Sequence, residues 1–238
     1  KSHLRARIAM TDLVDTTEMY LRTIVDLEEE GIAPFRARIA ERIGHSGPTV
    51  SQTVGRMERD GLVVVEADRR LALTPAGRDK ALAVARKHRL AERLLADVIG
   101  LDWSLVHDEA CRWEHVMSED VERRLVVMLG QPTESPYGNP IPGLDKIGGK
   151  KAKDFLEGVT RLTDWVGPEP RTGLLRRLGE PAQFDTELLA QLNDSGLIPG
   201  ARIRATQLND GHIEVMASDR ERPLVLDGEI ARHLYVAA

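Results

Sequence analysis

Side chains that can bind a transition metal are concentrated between positions 88 and 115 of the sequence. They are His88, Glu92, His107, Cys111, Glu114 and His115. Because Glu114 and His115 follow Cys111 by three and four positions, the three side chains share one face if the segment is helical. A thiolate, a carboxylate and an imidazole on one face are ligands suited to Fe²⁺, Co²⁺, Ni²⁺ or Zn²⁺. The spacing matches no exclusive zinc-finger motif, so a core cysteine beside surface Glu–His pairs remains the alternative interpretation.

Two long predicted helices carry these six residues. Apolar periodicity predicts one helix over about 76–99, ended by Gly100, and a second over about 103–116. A third helix is predicted over about 119–129. The apolar residues of the last two helices fit a dimer interface or an internal core equally well: Trp113, Val116, Val121, Leu125 and Met128.

The residues before this helical segment have the element order of a winged helix-turn-helix. The predicted helices cover 15–30, 35–43 and 48–60, and the predicted strands cover 62–66 and 71–74. Pro48 in the first turn and Gly61 after the last turn are typical boundaries of the third helix. In this fold the second helix of the pair lies in the major groove of DNA, with its first residues nearest the bases.

A local surplus of positive charge coincides with that helix pair. Between positions 36 and 59 arginine outnumbers glutamate by five to two. Arginines there are placed to contact phosphates, and the small polar residues that begin the second helix are placed to contact base edges. The predicted DNA-contacting residues are Thr16, Arg36, Arg38, Ser46, Pro48, Thr49, Ser51, Gln52, Arg56 and Arg59. A winged helix that binds protein instead of DNA is the alternative.

The last part of the chain has a different sequence pattern. Residues 131–149 are rich in proline and glycine and are interpreted as a linker, which either docks on the following module or acts as a tether. Beyond Lys150, a short helix at 185–195 lies near alternating runs at 201–205 and 212–216, which indicate a small β-rich module.

The composition limits the classes of function that the chain can have. The 238 residues are 42% hydrophobic and 30% charged, which predicts a globular chain of two or three domains. No apolar run approaches the ~18 residues of a membrane span, so no membrane partner is expected. The single cysteine, Cys111, cannot form an internal disulfide, which indicates a reducing cytoplasm. Aromatic residues at 4% argue against base stacking on single strands, and a net charge of −5 excludes a uniformly basic surface.

The chain resembles the iron-dependent regulator (diphtheria toxin repressor) family in four separated runs. These are DLVDTTEMYLRTI, RARIAERIGHSGPTVSQTVGRMERDGLV, RKHRLAERLL and HDEACRWEHVMSEDVERRL, in that order. The likeness is strong from about Met10 to Leu144 and weaker from about Gly173 to the end. It implies a mainly α fold with a β-rich C-terminal module. The implied domains are a winged helix-turn-helix over 1–82 (1–9 as an extension), a helical dimerisation and metal domain over 83–149 ending in the Pro-rich linker, and a linker with an SH3-like β-barrel over 150–238.

The resemblance also implies two metal sites. The primary, activating site would use Met19, Cys111, Glu114 and His115. The ancillary site would use His88, Glu92 and His107, with Glu180 and Gln183 of the run GEPAQ as the counterparts supplied by the SH3-like domain. Fe²⁺ is the expected metal, with Co²⁺, Ni²⁺, Mn²⁺ and Zn²⁺ as substitutes.

The expected function is that of an Fe²⁺-activated homodimeric transcriptional repressor. It would bind palindromic double-stranded operators of iron-homeostasis genes, with one or two dimers on each operator. A manganese-responsive regulator of the same superfamily and a metal-binding protein without DNA function are the alternatives. An enzyme is not expected, because every candidate acid is already assigned as a ligand and the sequence offers no nucleophile paired with a base.

Overall fold

The computed structural model describes residues 15–238, so the predicted extension over residues 1–9 lies outside the described residues. The chain forms two compact units, each built from several stretches. The described part of the first unit is 15–91, Ala110–Pro132 and Ile141–Ala152. The second unit is Glu92–Glu109, Thr133–Pro140 and Lys153–Ala238. The bounds of the three predicted domains remain predictions.

The first unit begins with the predicted winged helix-turn-helix. Its elements are α1 (Thr16–Glu29), α2 (Arg36–Ile43), α3 (Gly47–Arg59), β1 (Val63–Val65) and β2 (Leu71–Leu73). The side chain of Asp15 accepts hydrogen bonds from the backbone N–H groups of Thr17 and Glu18, and Ser46 caps α3 in the same way. The strands β1 and β2 pair as an antiparallel hairpin.

One apolar core holds these elements together. Leu21 and Ile24 of α1, Val54 of α3 and Leu71 of β2 are all buried in it. Helices α1 and α3 therefore bury their apolar side chains in one continuous core.

A long helical segment follows the hairpin. It consists of α4 (Pro75–Leu94), a π-helical turn (Leu95–Ile99), a 3₁₀ turn (Trp103–Leu105), α5 (Val106–Trp113) and α6 (Glu119–Met128). Gly77 lies in the first turn of α4, where an added Cβ would stand 1.9 Å from the carbonyl oxygen of Leu62. Only glycine permits this approach of α4 to the hairpin. Of the described helices, none is both long and apolar enough to cross a membrane.

The second unit contains an antiparallel six-stranded sheet. Its strands are β3 (Val159–Arg161), β4 (Arg171–Leu178), β5 (Arg202–Gln207), β6 (Ile213–Ala217), β7 (Leu224–Leu226) and β8 (Leu234–Ala237). Their order is β3-β8-β4-β5-β6-β7, with a register shift between Leu175 and Arg177 in the β4–β8 pairing. The short helices are α7 (Leu162–Trp165), α8 (Glu180–Gln183), α9 (Thr186–Asp194) and α10 (Gly228–Ala231). This sheet confirms the β-rich C-terminal module and is consistent with an SH3-like barrel.

Residues 133–140 of the Pro-rich segment pack on β4. The carbonyl of Tyr137 accepts a hydrogen bond from Leu178 N–H at 2.9 Å, and Asn139 Nδ2 donates to the Leu178 carbonyl at 3.0 Å. An added Cβ at Gly138 would stand 1.9 Å from the carbonyl oxygen of Arg176. Of the two interpretations, docking and tether, the structure therefore shows docking for this stretch.

Candidate metal centre and nucleic-acid interface

Three predicted primary-site residues come together at the end of α5. Cys111 lies in the last turn of α5, and Glu114 continues that turn because its N–H donates to the Ala110 carbonyl at 3.0 Å. His115 Nε2 is 3.3 Å from Glu114 Oε1. Glu114 is buried and Cys111 is partly buried. His115 thus lies against Glu114, and Cys111 is in the preceding turn of the same helix; their joint role as metal ligands stays a prediction.

Arg22 of α1 places a positive charge among these groups. Its Nη1 donates to Glu114 Oε2 at 2.5 Å and to Cys111 Sγ at 3.7 Å. The same nitrogen lies 3.0 Å from His88 Nδ1. The candidate metal ligands thus already surround one positively charged group, the Arg22 guanidinium. Their surroundings therefore favour a cation.

The surroundings keep Glu114 ionised. Burial alone would raise the pKa of this carboxyl, but the charge of Arg22 and the hydrogen bond with His88 outweigh burial and hold the pKa below its ordinary value. A carboxyl group must be deprotonated to bind a metal ion. Glu114 is therefore in the protonation state that a ligand requires.

Glu18 of α1 orients the ring of His115. Its Nδ1 lies 2.8 Å from Glu18 Oε2, so Nδ1–H donates to the carboxylate and Nε2 faces Glu114. Burial opposes the charged imidazole, but the hydrogen bond to Glu18 and the charges of Glu114 and Glu18 raise the pKa of His115 above its ordinary value. A carboxylate behind a histidine is the usual outer support of a metal-binding imidazole.

Met19 lies on α1 beside these charged residues. Its side chain is partly buried and packs against the apolar core of the first unit. Met19 and Arg22 are three positions apart, so they occupy neighbouring positions on the helix surface. The assignment of Met19 as a ligand stays a prediction.

A second group of donors lies in the second unit. His107 Nδ1 is 3.3 Å from Glu92 Oε1 and 3.7 Å from Glu180 Oε2, and all three side chains are buried. Gln183 Nε2 donates to the Leu178 carbonyl at 2.7 Å, while the buried Gln183 Oε1 has no hydrogen-bond partner among the described residues. Two carboxylates and an imidazole in contact are groups that bind divalent cations, and the place of Gln183 beside them stays a prediction.

The remaining predicted ancillary residue, His88, belongs to the first unit. It is fully buried, and its Nδ1 is 2.7 Å from Glu114 Oε2. The structure thus places His88 beside the primary-site carboxylate, and its role in the ancillary set stays a prediction.

The predicted DNA-contacting residues lie on α1, α2 and α3. Those at the start of α3, and three of the arginines, are exposed: Arg38, Ser46, Pro48, Thr49, Ser51, Gln52, Arg56 and Arg59. Thr16 and Arg36 are half-buried. Ser46 Oγ and Thr49 Oγ1 are 2.8 Å apart within the helix cap, whereas Arg56 Nη2 donates to Thr17 Oγ1 at 3.3 Å. Gln52 is thus an exposed polar side chain on the first turns of α3 that can pair with a base edge.

Comparison with known proteins decides the family. Residues 12–71 match the family described as "Iron dependent repressor, N-terminal DNA binding domain", and residues 74–143 match "Iron dependent repressor, metal binding and dimerisation domain". The chain belongs to the iron-dependent repressor family. The iron-dependent repressor IdeR of Mycobacterium tuberculosis (strain ATCC 25618 / H37Rv) is 55% identical over 228 residues, 95% of this chain and 99% of IdeR. The diphtheria toxin repressor of Corynebacterium diphtheriae is 56% identical over 218 residues, 92% and 96% of the two chains.

Solved structures of this repressor type share the fold. A manganese-dependent transcriptional repressor in complex with manganese has a TM-score of 0.78 at 29% identity, over 93% of this chain and 99% of that one. The crystal structure of T. acidophilum IdeR has a TM-score of 0.73 at 26% identity, over 94% of this chain and 98% of that one. Membership of a family of DNA-binding repressors confirms the predicted fold class and the expectation that the protein is not an enzyme.

Two charged residues of the metal centre were missed by sequence reasoning. Glu18 and Arg22 flank Met19 on α1, yet neither was assigned a role. The sequence does carry a signal, because Arg22 and Asp26 stand four apart inside the otherwise mostly apolar run YLRTIVDL. Charged side chains are seldom fully buried unless they are paired.

Proposed function

We propose that the protein is an Fe²⁺-activated homodimeric transcriptional repressor that binds palindromic operators of iron-homeostasis genes. One observation carries the proposal. Helix α1 brings Glu18 and Arg22 to the Cys111–Glu114–His115 cluster and, on another face, shares its core with the recognition helix α3. A change at the cluster therefore reaches α3 through a single helix.

The residues proposed to hold the primary metal are Met19, Cys111, Glu114 and His115. When bound, a divalent cation would supply the positive charge that joins these groups. The residues proposed for the ancillary metal are Glu92, His107, Glu180 and Gln183, with His88 as predicted from the sequence. Fe²⁺ is proposed as the physiological metal because a thiol among the ligands favours a softer ion than Mn²⁺.

The side chains of the cluster fix α1 relative to α5. Glu18 holds the His115 ring so that Nε2 faces Glu114, and Glu114 stays ionised beside it. A ligand can shift an equilibrium only by its preference for one arrangement over another. The proposed ligands lie on α1 and at the end of α5. All of them can bind one cation only when α1 packs beside the end of α5, so the cation prefers that arrangement. In a dimer, two α3 helices held about 34 Å apart reach successive major grooves.

The exposed apolar residues of α6 and its preceding turn are proposed to form the dimer interface. Val116, Val121 and Met128 are 64%, 45% and 57% exposed, whereas Leu125 is buried within the first unit. Exposed apolar side chains grouped on one element are typical of an interface. A repressor that binds operators acts where the chromosome lies, so we place it in the cytoplasm.

A metal series in an operator-binding assay tests the proposal. We expect fluorescence anisotropy of a labelled A/T-rich palindrome to rise under anaerobic Fe²⁺ and to return to the value of free DNA with a chelator. Stronger activation by Mn²⁺ than by Fe²⁺ would favour the manganese-responsive alternative. Tight metal binding without any change in anisotropy on palindromic DNA would contradict the repressor function.

Glu18→Gln should weaken metal binding at the primary site by about 10–100-fold, because outer partners of metal-binding histidines contribute on that scale. The amide cannot hold His115 Nδ1–H as strongly as the carboxylate does. Glu29→Gln is a matched control, since Glu18 and Glu29 lie on α1 with equally exposed side chains and Glu29 pairs with Arg89 instead. Calorimetric titration with Co²⁺ measures both variants. Equal affinities for the two would remove Glu18 from the metal centre.

A further inference from the structure

Arg22 occupies the side of Glu114 and Cys111 that faces α1. The atoms Arg22 Nη1, Glu114 Oε2 and His88 Nδ1 form a triangle with sides of 2.5, 2.7 and 3.0 Å. Cys111 Sγ completes the group at 3.7 Å from the same guanidinium nitrogen. All four side chains are buried or partly buried, so water screens these contacts little.

The contacts of Arg22 use lone pairs that a metal ion also needs. Glu114 Oε2 accepts from Arg22, and Cys111 Sγ lies within reach of the same N–H group. His88 Nδ1 can either donate to Glu114 or accept from Arg22, but a single ring nitrogen cannot do both. The pocket is therefore filled by one positive charge, and a second positive charge would be repelled from it.

An alternative partner for the guanidinium lies one turn further along α1. Arg22 Nε is 3.6 Å from Asp26 Oδ2, and the two residues are four positions apart on the helix. A rotation of the Arg22 side chain towards Asp26 would keep the arginine paired while it leaves Glu114. Asp26 Oδ1 also lies 3.7 Å from Arg89 Nη2, so this carboxylate already pairs with two arginines. With its guanidinium turned fully towards Asp26, Arg22 would leave the thiol and the Glu114 carboxylate available.

We propose that Arg22 is an internal competitor of the activating metal. In the metal-free protein its guanidinium neutralises Glu114 and blocks the primary site, and it turns towards Asp26 when a divalent cation binds. The competition makes the site weaker than its ligands alone would be, so Arg22 sets the metal concentration at which the repressor responds. This inference rests on the proposed primary site, and its test separates the two.

The absorption band of a Co²⁺–thiolate bond is the readout, because Cys111 is the single cysteine and is a proposed ligand of the primary site only. We expect Arg22→Gln to bind Co²⁺ about tenfold more tightly than the wild-type chain, since a hydrogen bond to a charged group corresponds to a factor of about 10–100. We also expect the thermal midpoint of Arg22→Gln to fall in the metal-free protein and to change less in the Co²⁺-saturated protein.

Arg86→Gln is the matched control. Arg86 is also a buried arginine of the first unit, but it donates to Glu122 and to the carbonyl of Gly143. Its replacement should lower the midpoint by the same amount with and without Co²⁺ and leave the Co²⁺ affinity unchanged. A purely structural role for Arg22 would give this same pattern in Arg22→Gln.

The outcomes separate the two hypotheses. Unchanged or weaker Co²⁺ binding by Arg22→Gln, with normal binding by the wild type, would overturn the competitor role and leave the primary site intact. Absence of the thiolate band in the wild-type chain would instead overturn the primary site. If Arg22→Gln does not fold, Arg22→Leu replaces it, because leucine fills part of the buried space of the arginine stem and removes the charge. Tighter Co²⁺ binding by Arg22→Leu then supports the proposal, and equal or weaker binding contradicts it.

Discussion

Replacing Glu114 by glutamine should abolish metal-dependent operator binding, whereas the same replacement at Glu122 should leave the metal response in place. Glu114 Oε1 lies 3.3 Å from His115 Nε2, and Glu114 and Cys111 both accept from Arg22, whose charge keeps Glu114 ionised. Loss of an outer partner of a metal ligand costs about 10–100-fold in affinity, so loss of a ligand itself should cost more than ~100-fold. Anisotropy of a labelled operator at a fixed Fe²⁺ concentration measures the effect.

Glu122→Gln is a matched control for Glu114→Gln, because the two glutamates have similar surroundings. Glu122 is a buried glutamate of the same unit and pairs with the buried Arg86 at 2.5 Å, as Glu114 pairs with Arg22. Removal of one partner from a buried ion pair costs about 3–5 kcal/mol of stability, so both variants should unfold more easily. When operator binding is measured at a temperature below both unfolding midpoints, only Glu114→Gln should lose the metal response. Equal loss in both variants would assign the effect to folding and would contradict a ligand role for Glu114.

The helices around the DNA-binding surface were predictable because their signals are local. Asp15 and Ser46 are side-chain caps, and the backbone bonds that they accept come from residues two or three positions away. Apolar periodicity then defines the buried face of each helix. The predicted second long helix was less accurate at its ends, since a 3₁₀ turn precedes α5 and the helix ends at Trp113.

The charged support of the metal centre was not predictable in the same way. Arg22 and Glu114 are 92 positions apart, and Glu18 and His115 are 97 apart. No local pattern pairs such residues, because the partners meet only after α1 and α5 have packed in one unit. The types and spacing of Cys111, Glu114 and His115 indicated a metal, whereas the groups that hold these ligands in position required the tertiary structure.

Periodicity also cannot separate a core residue from an interface residue. Leu125 and Val121 lie on the same predicted helix, and both fitted either a core or a dimer contact. In the structure Leu125 is 5% exposed and Val121 is 45% exposed. The difference follows from which side of α6 the rest of the first unit covers, which depends on packing. The exposed subset is therefore the part proposed to contact a partner subunit.

The double substitution Val121→Asp with Met128→Asp should convert the dimer to a monomer and remove specific operator binding. Two carboxylates in an apolar contact lose hydration without gaining partners, so association becomes unfavourable. A monomer reads one half-site, and its affinity should fall by ~10³ or more, towards that of non-specific binding. Sedimentation velocity measures the oligomeric state and anisotropy measures operator affinity.

A control for added charge is Val225→Asp, because Val225 is 51% exposed on β7 in the second unit. This variant should remain dimeric and bind the operator normally. The Co²⁺–thiolate band should be unchanged in the double variant, since neither substituted residue is a proposed ligand. A variant that stays dimeric would place the interface on another surface of the chain. A monomer with full operator affinity would show that two linked α3 helices are not needed, which would contradict the geometric basis of the switch.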